Sequence, residues 1–308
     1  MSSGADDLSS PGAHPDRIAE RLAEVGYVAD HRVAAAVQLS IGLGRPLLLE
    51  GPPGVGKTSL ARAVAAAGGR RLVRLQCHEG LDASQALYEW DYGRQLLATQ
   101  LLAAGRTAPE GSDGAVVPGR TLDTTALFTE EFLLERPLLT ALRSPEPVVL
   151  LVDELDRADD ALDALLLETL DERQVSIPEL GTVKAVSDPW VFITSNETRE
   201  LADAVRRRCL RLGLGYPDPE HEARIIEAAA PGITRALQER VVDALNRLRR
   251  LGLEQPPGVA EGLDWARALL LLSAEQLDDA TVDRTLLTIV KRQRDLDRAR
   301  DELLSDRS

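Results

Sequence analysis

Short apolar runs alternate with amphipathic stretches through the first two thirds of the chain, and helical spacing alone fills the rest. The runs at 46–50, 148–152 and 189–194 lack polar alternation, the pattern of parallel strands covered on both faces. Residues 71–76 read as a further strand. Ile18, Leu22 and Val25 mark a short amphipathic helix. Val33, Val37 and Ile41 line one face of a second, which Asp30 caps and Gly42 to Gly44 end. Residues 58–67 are Ala-rich and helical in character, and 83–104 predicts one long helix carrying Tyr88, Trp90 and Tyr92. Helical spacing returns at Phe128, Phe132, Leu133, Leu138 and Leu142, with Pro137 as a break or kink. Leu162, Leu165, Leu166 and Leu170 share a face of another helix, and 174–186 predicts a hairpin turning at Glu179 to Gly181. After Pro217 the pattern predicts helices over 219–229, 234–251, 259–272 and 280–302, separated by Pro231-Gly232, Pro256-Pro257 and Ser273.

Strands alternating with helices predict an α/β fold, a parallel sheet sandwiched by helices, followed by a smaller all-helical domain. The expected division is a disordered start over 1–13, an α/β domain over 14–216 and a helical domain over 217–304. Residues 105–124 hold four glycines and two prolines with little apolar periodicity, so they are expected to form an exposed, mobile insertion. Aromatic content is 3% against 44% hydrophobic residues, which leaves Leu, Val, Ile and Ala to build the core. A net charge of −14 argues against gripping duplex nucleic acid, which calls for a basic face. Cys77 and Cys209 have no metal-ligand spacing and read as buried thiols. The polar start and the lack of any unbroken apolar stretch of about eighteen residues predict a soluble, cytoplasmic protein with no membrane insertion.

Chemistry concentrates where the first apolar run ends. Gly51, Pro52, Pro53, Gly54, Val55, Gly56, Lys57, Thr58 and Ser59 fit G-x-x-x-x-G-K-[ST] in the order strand, loop, helix. Glycines let successive backbone N–H groups face an anion; Lys57 would reach the β- and γ-phosphates, and the Thr58 hydroxyl would ligate Mg²⁺. The run at 148–152 ends in Asp153-Glu154, at the strand terminus where open α/β sheets bind ligands. Asp153 is placed to hold Mg²⁺ directly or through water, and Glu154 to polarise an attacking water. Two acids capping the following helix is the plainer alternative. Asn196 closes the next strand and would bond the γ-phosphate or that water, or serve only as a turn residue. The triplet Arg206-Arg207-Arg208 suits the charge on a transferring phosphoryl group, although a helix macrodipole alone also favours cations late in a helix.

GPPGVGKT at 51–58, VVLLVDELDRAD at 148–159, VFITSNETREL at 191–201 and AVRRRC at 204–209 resemble, in order and spacing, the Walker A, Walker B, sensor 1 and arginine-finger segments of AAA+ ATPases. The chain is similar to the MoxR-type members. The segments at 75–92, 132–143 and 177–190 resemble their CoxD-like subgroup, associated with carbon monoxide dehydrogenase genes. This similarity spans most of 25–270. It implies ATP and Mg²⁺ at the subunit interfaces of a self-assembled ring, usually a hexamer. Arg208, or failing it Arg207, would act on a neighbour's ATP. One departure stands out: Pro257 to Glu261, where many lids carry a sensor 2 arginine, has none, and Arg267 further along also reads as a solvated helix residue.

The resemblance implies a chaperone-like remodeller working with a VWA-domain partner on a metalloenzyme client, here a molybdenum hydroxylase of the carbon monoxide dehydrogenase type. The insertion and the Tyr88-Trp90-Tyr92 cluster are candidate partner-facing features, with core packing the alternative for the aromatics. Val25 to Ala29 is the candidate adenine segment. Other classes remain open at this point: a nucleic-acid-associated motor or loader, a nucleotide-dependent scaffold, and a small-molecule kinase. Acidic balance, intact Glu154 and Arg208, and an acid pair that favours water as acceptor count against each in turn.

Overall fold

The computed structural model describes Leu8 and residues 14–104, 127–178 and 180–304. Apart from Leu8, the start expected to be disordered, the whole 105–124 insertion and Glu179 of the hairpin turn lie outside the described residues.

The strands, in chain order, are β1 (Leu47–Glu50), β2 (Arg71–Gln76), β3 (Tyr88–Trp90), β4 (Leu133–Glu135), β5 (Val148–Asp153), β6 (Gln174–Ile177), β7 (Gly181–Lys184), β8 (Trp190–Ser195) and β9 (Leu210–Gly213). Five form an all-parallel sheet in the order β2-β5-β8-β1-β9. Strand β5 is buried along its whole length. Val148, Leu150 and Val152 enter one core with the helices Pro137–Arg143 and Asp160–Asp171, while Val149 and Leu151 enter a second. That second core packs under the helices Pro15–Glu24, His31–Leu43 and Lys57–Ala67. Unbroken hydrophobicity in the sequence is therefore two alternating faces, both covered. Register pairs Gln76 with Asp153 and Glu50 with Ser195, which aligns the carboxyl ends of these strands along one edge.

Three expectations are corrected, and one strand was not anticipated. The 83–104 stretch is not one helix: a helix Ala83–Leu87 gives way to β3, which pairs antiparallel with β4, before the helix Tyr92–Ala104 begins. Aromatic Tyr88 and Trp90 favour extended backbone, and Trp90 buries its ring edge-on against Phe128 at 5.3 Å between centroids. Tyr92 stays exposed. Pro137 starts a helix instead of breaking one, because at the first position its missing N–H costs nothing. The 280–302 helix is two helices, Asp279–Thr285 and Gln293–Leu304, with a 3₁₀ turn after the first. The buried Trp265 indole donates to Thr285 Oγ1 at 2.8 Å, and that hydroxyl donates to Thr281 O at 2.7 Å. Strand β9 had no counterpart in the sequence reading. The hairpin is present as β6 and β7.

Beyond β9 all described elements are helical: Pro219–Ala229, Arg235–Arg250, Val259–Leu271 and the two just named. They share a third core around Leu245, Leu248, Trp265 and Leu269. Arg249 and Glu222, both buried, form a two-pronged ion pair at 2.6 and 2.7 Å, and Arg249 Nε also donates to Pro257 O at 2.9 Å. That fork fixes the turn leading into Val259–Leu271. Among the described residues no helix is long and apolar enough to cross a membrane.

Two contacts position the functional edge. Gly54 O accepts from Val259 N at 2.8 Å and Ala260 N at 3.3 Å, so the loop after β1 is held by the first turn of a helix from the other region. A Cβ on Gly258 would lie 2.8 Å from Gly54 Cα, although its φ of −82° suits any residue. Glycine is there for approach, not for conformation. The second contact is Asp156, buried in the 3₁₀ turn Leu155–Arg157. It accepts from Asn196 N at 3.1 Å, Thr198 N at 3.0 Å and Thr198 Oγ1 at 2.5 Å. Burial by itself would raise its pKa; the Thr198 hydroxyl and the two amides outweigh that and hold it below the ordinary carboxylate value.

Gly258→Ala should lower the melting temperature and weaken nucleotide binding by about tenfold, whereas Gly42→Ala, which meets nothing within 4 Å, should change neither. Asp156→Asn should cost about 1–3 kcal/mol at neutral pH. The Asp156 carboxyl titrates lower folded than unfolded, so its stabilisation is complete above the unfolded pKa and disappears as pH falls through the folded one. Urea melts between neutral and acidic pH should therefore show the deficit of Asp156→Asn shrinking toward acid; a deficit independent of pH would refute the assignment.

Candidate nucleotide site

A cleft of about 580 Å³ opens at the carboxyl edge of the sheet. Its walls are the loop and helix start Pro53 to Ser59, the strand ends Asp153, Glu154, Thr194 and Asn196, the segment Gly26 to Val28, and Tyr216, Val259, Ala260 and Leu263. Gly51 has a φ of +144°, and a Cβ there would lie 1.9 Å from Leu214 O, so no side chain fits where β1 turns into the loop. Gly56, at φ +96°, sits immediately before the helix Lys57–Ala67, whose unpaired N-terminal amides face the cleft end of that helix.

Lys57 is buried and donates to Gly51 O at 2.6 Å, Pro52 O at 2.8 Å and Asn196 Oδ1 at 2.8 Å. Burial pulls its pKa below the ordinary lysine value, against the opposing pull of Asp156, Asp153, Glu154 and Glu197. Those same bonds place Asn196 beside the lysine, with its backbone held by Asp156.

Asp153 is buried and surrounded by donors. Oδ1 accepts from Thr58 Oγ1 at 2.9 Å and Thr194 Oγ1 at 2.6 Å, while Oδ2 accepts from Arg74 Nη2 at 2.5 Å and Nε at 3.0 Å. Thr58 and Asp153 thus offer adjacent hard oxygens, a donor set that suits Mg²⁺. Thr194 Oγ1 also accepts from Glu154 N at 2.8 Å, so one hydroxyl orients both acids. Glu154 itself is left-handed, at φ 57° and ψ 48°, an uncommon conformation for a residue other than glycine. Its Oε2 accepts from Gln76 Nε2 at 3.3 Å.

The structure brings together most of the residues singled out in the sequence: Pro53 to Ser59, Asp153, Glu154 and Asn196 share the cleft, with Gly51 and Pro52 holding Lys57 from behind. Gly26, Tyr27 and Val28 of the candidate adenine segment line it too. Burial raises the Tyr27 pKa, so its hydroxyl stays neutral. Arg207 and Arg208 do not line the cleft; they end the helix Asp203–Arg208, where Arg208 Nη1 donates to Ala204 O at 3.1 Å. Arg267 is also outside, exposed, and 3.6 Å from Asp264. Both cysteines are buried, with thiols pushed up to about 12 by burial, and are inert at neutral pH. Sequence reasoning missed Arg74, Gln76, Thr194 and Asp156. The only available signal was polar residues at alternate positions 74 and 76 of a strand, which reads as a solvent face.

The family described as AAA domain (dynein-related subfamily) matches residues 46–209, more than half of the chain. The denitrification regulatory protein NirQ of Pseudomonas aeruginosa is 26% identical over 268 residues, covering 80% of this chain and 89% of NirQ. Protein NorQ of Paracoccus denitrificans is 26% identical over 262 residues, covering 78% and 83%. Chaperone MoxR1 of Mycobacterium tuberculosis is 24% identical over 274 residues, covering 80% of this chain and 61% of MoxR1. With its glycine loop, acid pair and strand-end amide in one cleft, the chain belongs to the AAA+ ATPases of the dynein-related AAA domain family, in their MoxR-type branch.

Proposed function

We propose that this ATPase binds ATP with Mg²⁺ in the cleft and cleaves it where two copies meet, and that the energy drives chaperone-like maturation of a client protein. The convergence of Lys57, Thr58, Asp153, Glu154 and Asn196 on one strand edge carries the reading. Backbone amides of the loop and the Lys57 ammonium hold the phosphates. Mg²⁺, held by Thr58 and Asp153, would neutralise charge on the phosphate oxygens. Glu154, within hydrogen-bond reach of Gln76, takes the proton of the attacking water, and Asn196 orients that water or the terminal phosphate. Arg208 ends a helix outside its own cleft, which supports action in trans on a neighbour's ATP.

A ring of copies, usually six in the family this chain resembles, follows from that division of labour. The resemblance at 75–92, 132–143 and 177–190 supports a metalloenzyme client of the molybdenum hydroxylase type and a VWA-domain partner. MoxR1's designation as a chaperone agrees with the remodelling role. Cytoplasmic residence accords with it as well. The net charge of −14 weighs against nucleic acid as the substrate of the motor.

Glu154→Gln should retain ATP binding and lose phosphate release by about a hundredfold or more; equal rates would contradict the base assignment. Arg208→Ala should lose turnover by about a thousandfold in the assembled ring while binding ATP normally. Mixing the two inactive variants is the sharper measurement. A mixed ring contains sites with Glu154 from one copy and Arg208 from its neighbour, so activity should partly return, and no return would exclude interface catalysis by this pair. Mass measurement with a slowly hydrolysed analogue reads the ring directly, and a monomer at every concentration would overturn it.

A further inference from the structure

The basic triplet rides on one short helix, and a buried acid from another element holds the start of that helix. Asp163 is buried in the first turn of the helix Asp160–Asp171. Its Oδ1 accepts from Arg199 Nη2 at 3.1 Å, and its Oδ2 accepts from Arg199 Nη1 at 3.1 Å and from Ala202 N at 3.0 Å. Arg199 also donates from Nη1 to Asp160 Oδ1 at 3.1 Å and Glu200 O at 3.2 Å, and from Nη2 to Leu155 O at 3.4 Å. Ala202 stands just before the helix Asp203–Arg208, and its methyl can cap nothing. Asp163 supplies from outside the bond that a glutamate three residues into a helix makes to the capping amide. Leu201 and Val205 seat the same turn in the core that holds Leu162 and Leu166.

We propose that Asp163 is a positioning residue for turnover in the neighbouring copy: with Arg199 it fixes where the helix Asp203–Arg208 stands, and so where Arg208 is presented across the interface. The inference rests on the reading of ATP cleavage between two copies. Two buried acids divide the loop that follows β8. Asp156 accepts from Asn196 N and Thr198 N, at the end that faces this chain's own cleft. Asp163 holds Arg199 and Ala202, at the end that leads to the triplet. The helix is six residues long, and its far end is gripped by Arg45 through the carbonyls of Arg207 and Arg208, so a shift at its first residue is carried to its last. The bonds of Lys57, Thr58 and Asp153 run to other residues. Loss of Asp163 therefore falls on the neighbour's turnover and spares this copy's ATP binding. A residue that only held the fold together would serve both alike.

Mixed rings separate the two roles. Asp163→Ala and Arg199→Lys are assayed alone for steady-state phosphate release and for binding of a fluorescent, slowly hydrolysed ATP analogue, then mixed with either Glu154→Gln or Arg208→Ala. Alone, Asp163→Ala should lose turnover by about tenfold or more, with analogue affinity within about twofold of wild type. Beside Glu154→Gln it should rise well above the average of the two pure proteins, because its intact cleft then meets a correctly held Arg208. Beside Arg208→Ala it should gain nothing, since both copies lack the same contribution. Arg199→Lys keeps the charge next to the buried acid but lacks the fork, so it should repeat the pattern with a smaller loss. Should Asp163→Ala fail to fold, Arg199→Lys decides the outcome. Recovery beside Arg208→Ala with none beside Glu154→Gln would put the action of Asp163 in its own cleft and overturn the proposal. Recovery in both mixtures or in neither, or analogue affinity that falls in step with turnover, would overturn it too. The Glu154→Gln and Arg208→Ala mixture is the control: if it stays inactive, cleavage between copies is lost and this inference with it, whereas recovery there leaves any failure to Asp163 alone.

Discussion

A carboxylate out of water governs this structure. Asp153 lies at the end of a fully buried strand and is 1% exposed, and stripping water from such a group costs several kcal/mol unless donors replace it. Three elements supply them, β2 through Arg74, the helix after the glycine loop through Thr58 and β8 through Thr194, while β5 carries the acid. Each donor is held where it is because the charge cannot be left alone. The acid thus does structural work before any chemistry, drawing the loop, the edge strand and the neighbouring strand onto one point. Thr194 extends this to the next residue by accepting from Glu154 N, so the direction of the second acid follows from the position of the first.

Around that fixed point the glycine loop is constrained from the far side. Gly54 O is taken by the first two amides of Val259–Leu271, and the backbones of Gly54 and Gly258 touch too closely for any side chain. Helix N-terminal amides are unsatisfied within their own helix, so a carbonyl from the phosphate loop is a natural partner. Loop and helical region therefore share hydrogen bonds directly, and any displacement of the loop is felt at the helix start. The Arg249–Glu222 fork then carries that displacement into the rest of the helical region, since Arg249 also holds the turn at Pro257.

How much of this was readable beforehand depends on whether a feature is local. The glycine loop, the acid pair and Asn196 each announce themselves within a few residues, because loop geometry and strand termini have compositional signatures. Arg74 and Gln76 do not. Their meaning depends on β2 lying beside β5 with Gln76 opposite Asp153, and strand order is a property of the whole sheet. Strand β9 escaped notice for a related reason: Leu210–Gly213 has only two apolar residues, and pairing with β1 makes it a strand. Tyr88–Trp90 was absorbed into a helix because its neighbours on both sides are helical, whereas its extended state comes from β4, more than forty residues away. Gly258 sits in a Pro-Pro-Gly break that correctly ends one helix, but nothing in the break names Gly54 as the neighbour.

The basic triplet is where structure changes the balance between two explanations. Cations late in a helix are favoured by the macrodipole, so Arg206 to Arg208 needed no further purpose. In the folded chain that need is met from elsewhere. Arg45, immediately ahead of β1, donates from Nη2 to Arg207 O at 2.8 Å and from Nε to Arg208 O at 3.1 Å, and its fork reaches Cys209 O at 3.4 Å. Arg206 is engaged with Glu200 at 2.9 Å. The carbonyl end of Asp203–Arg208 already has a cation in Arg45. Arg208 still donates to Ala204 O of its own helix, and the proposed action on a neighbour's ATP would give the remaining donors of the triplet a use. Arg45 also ties the triplet's helix to this chain's own cleft: β1 begins beside the brace and ends in the phosphate loop, so one short strand joins the two.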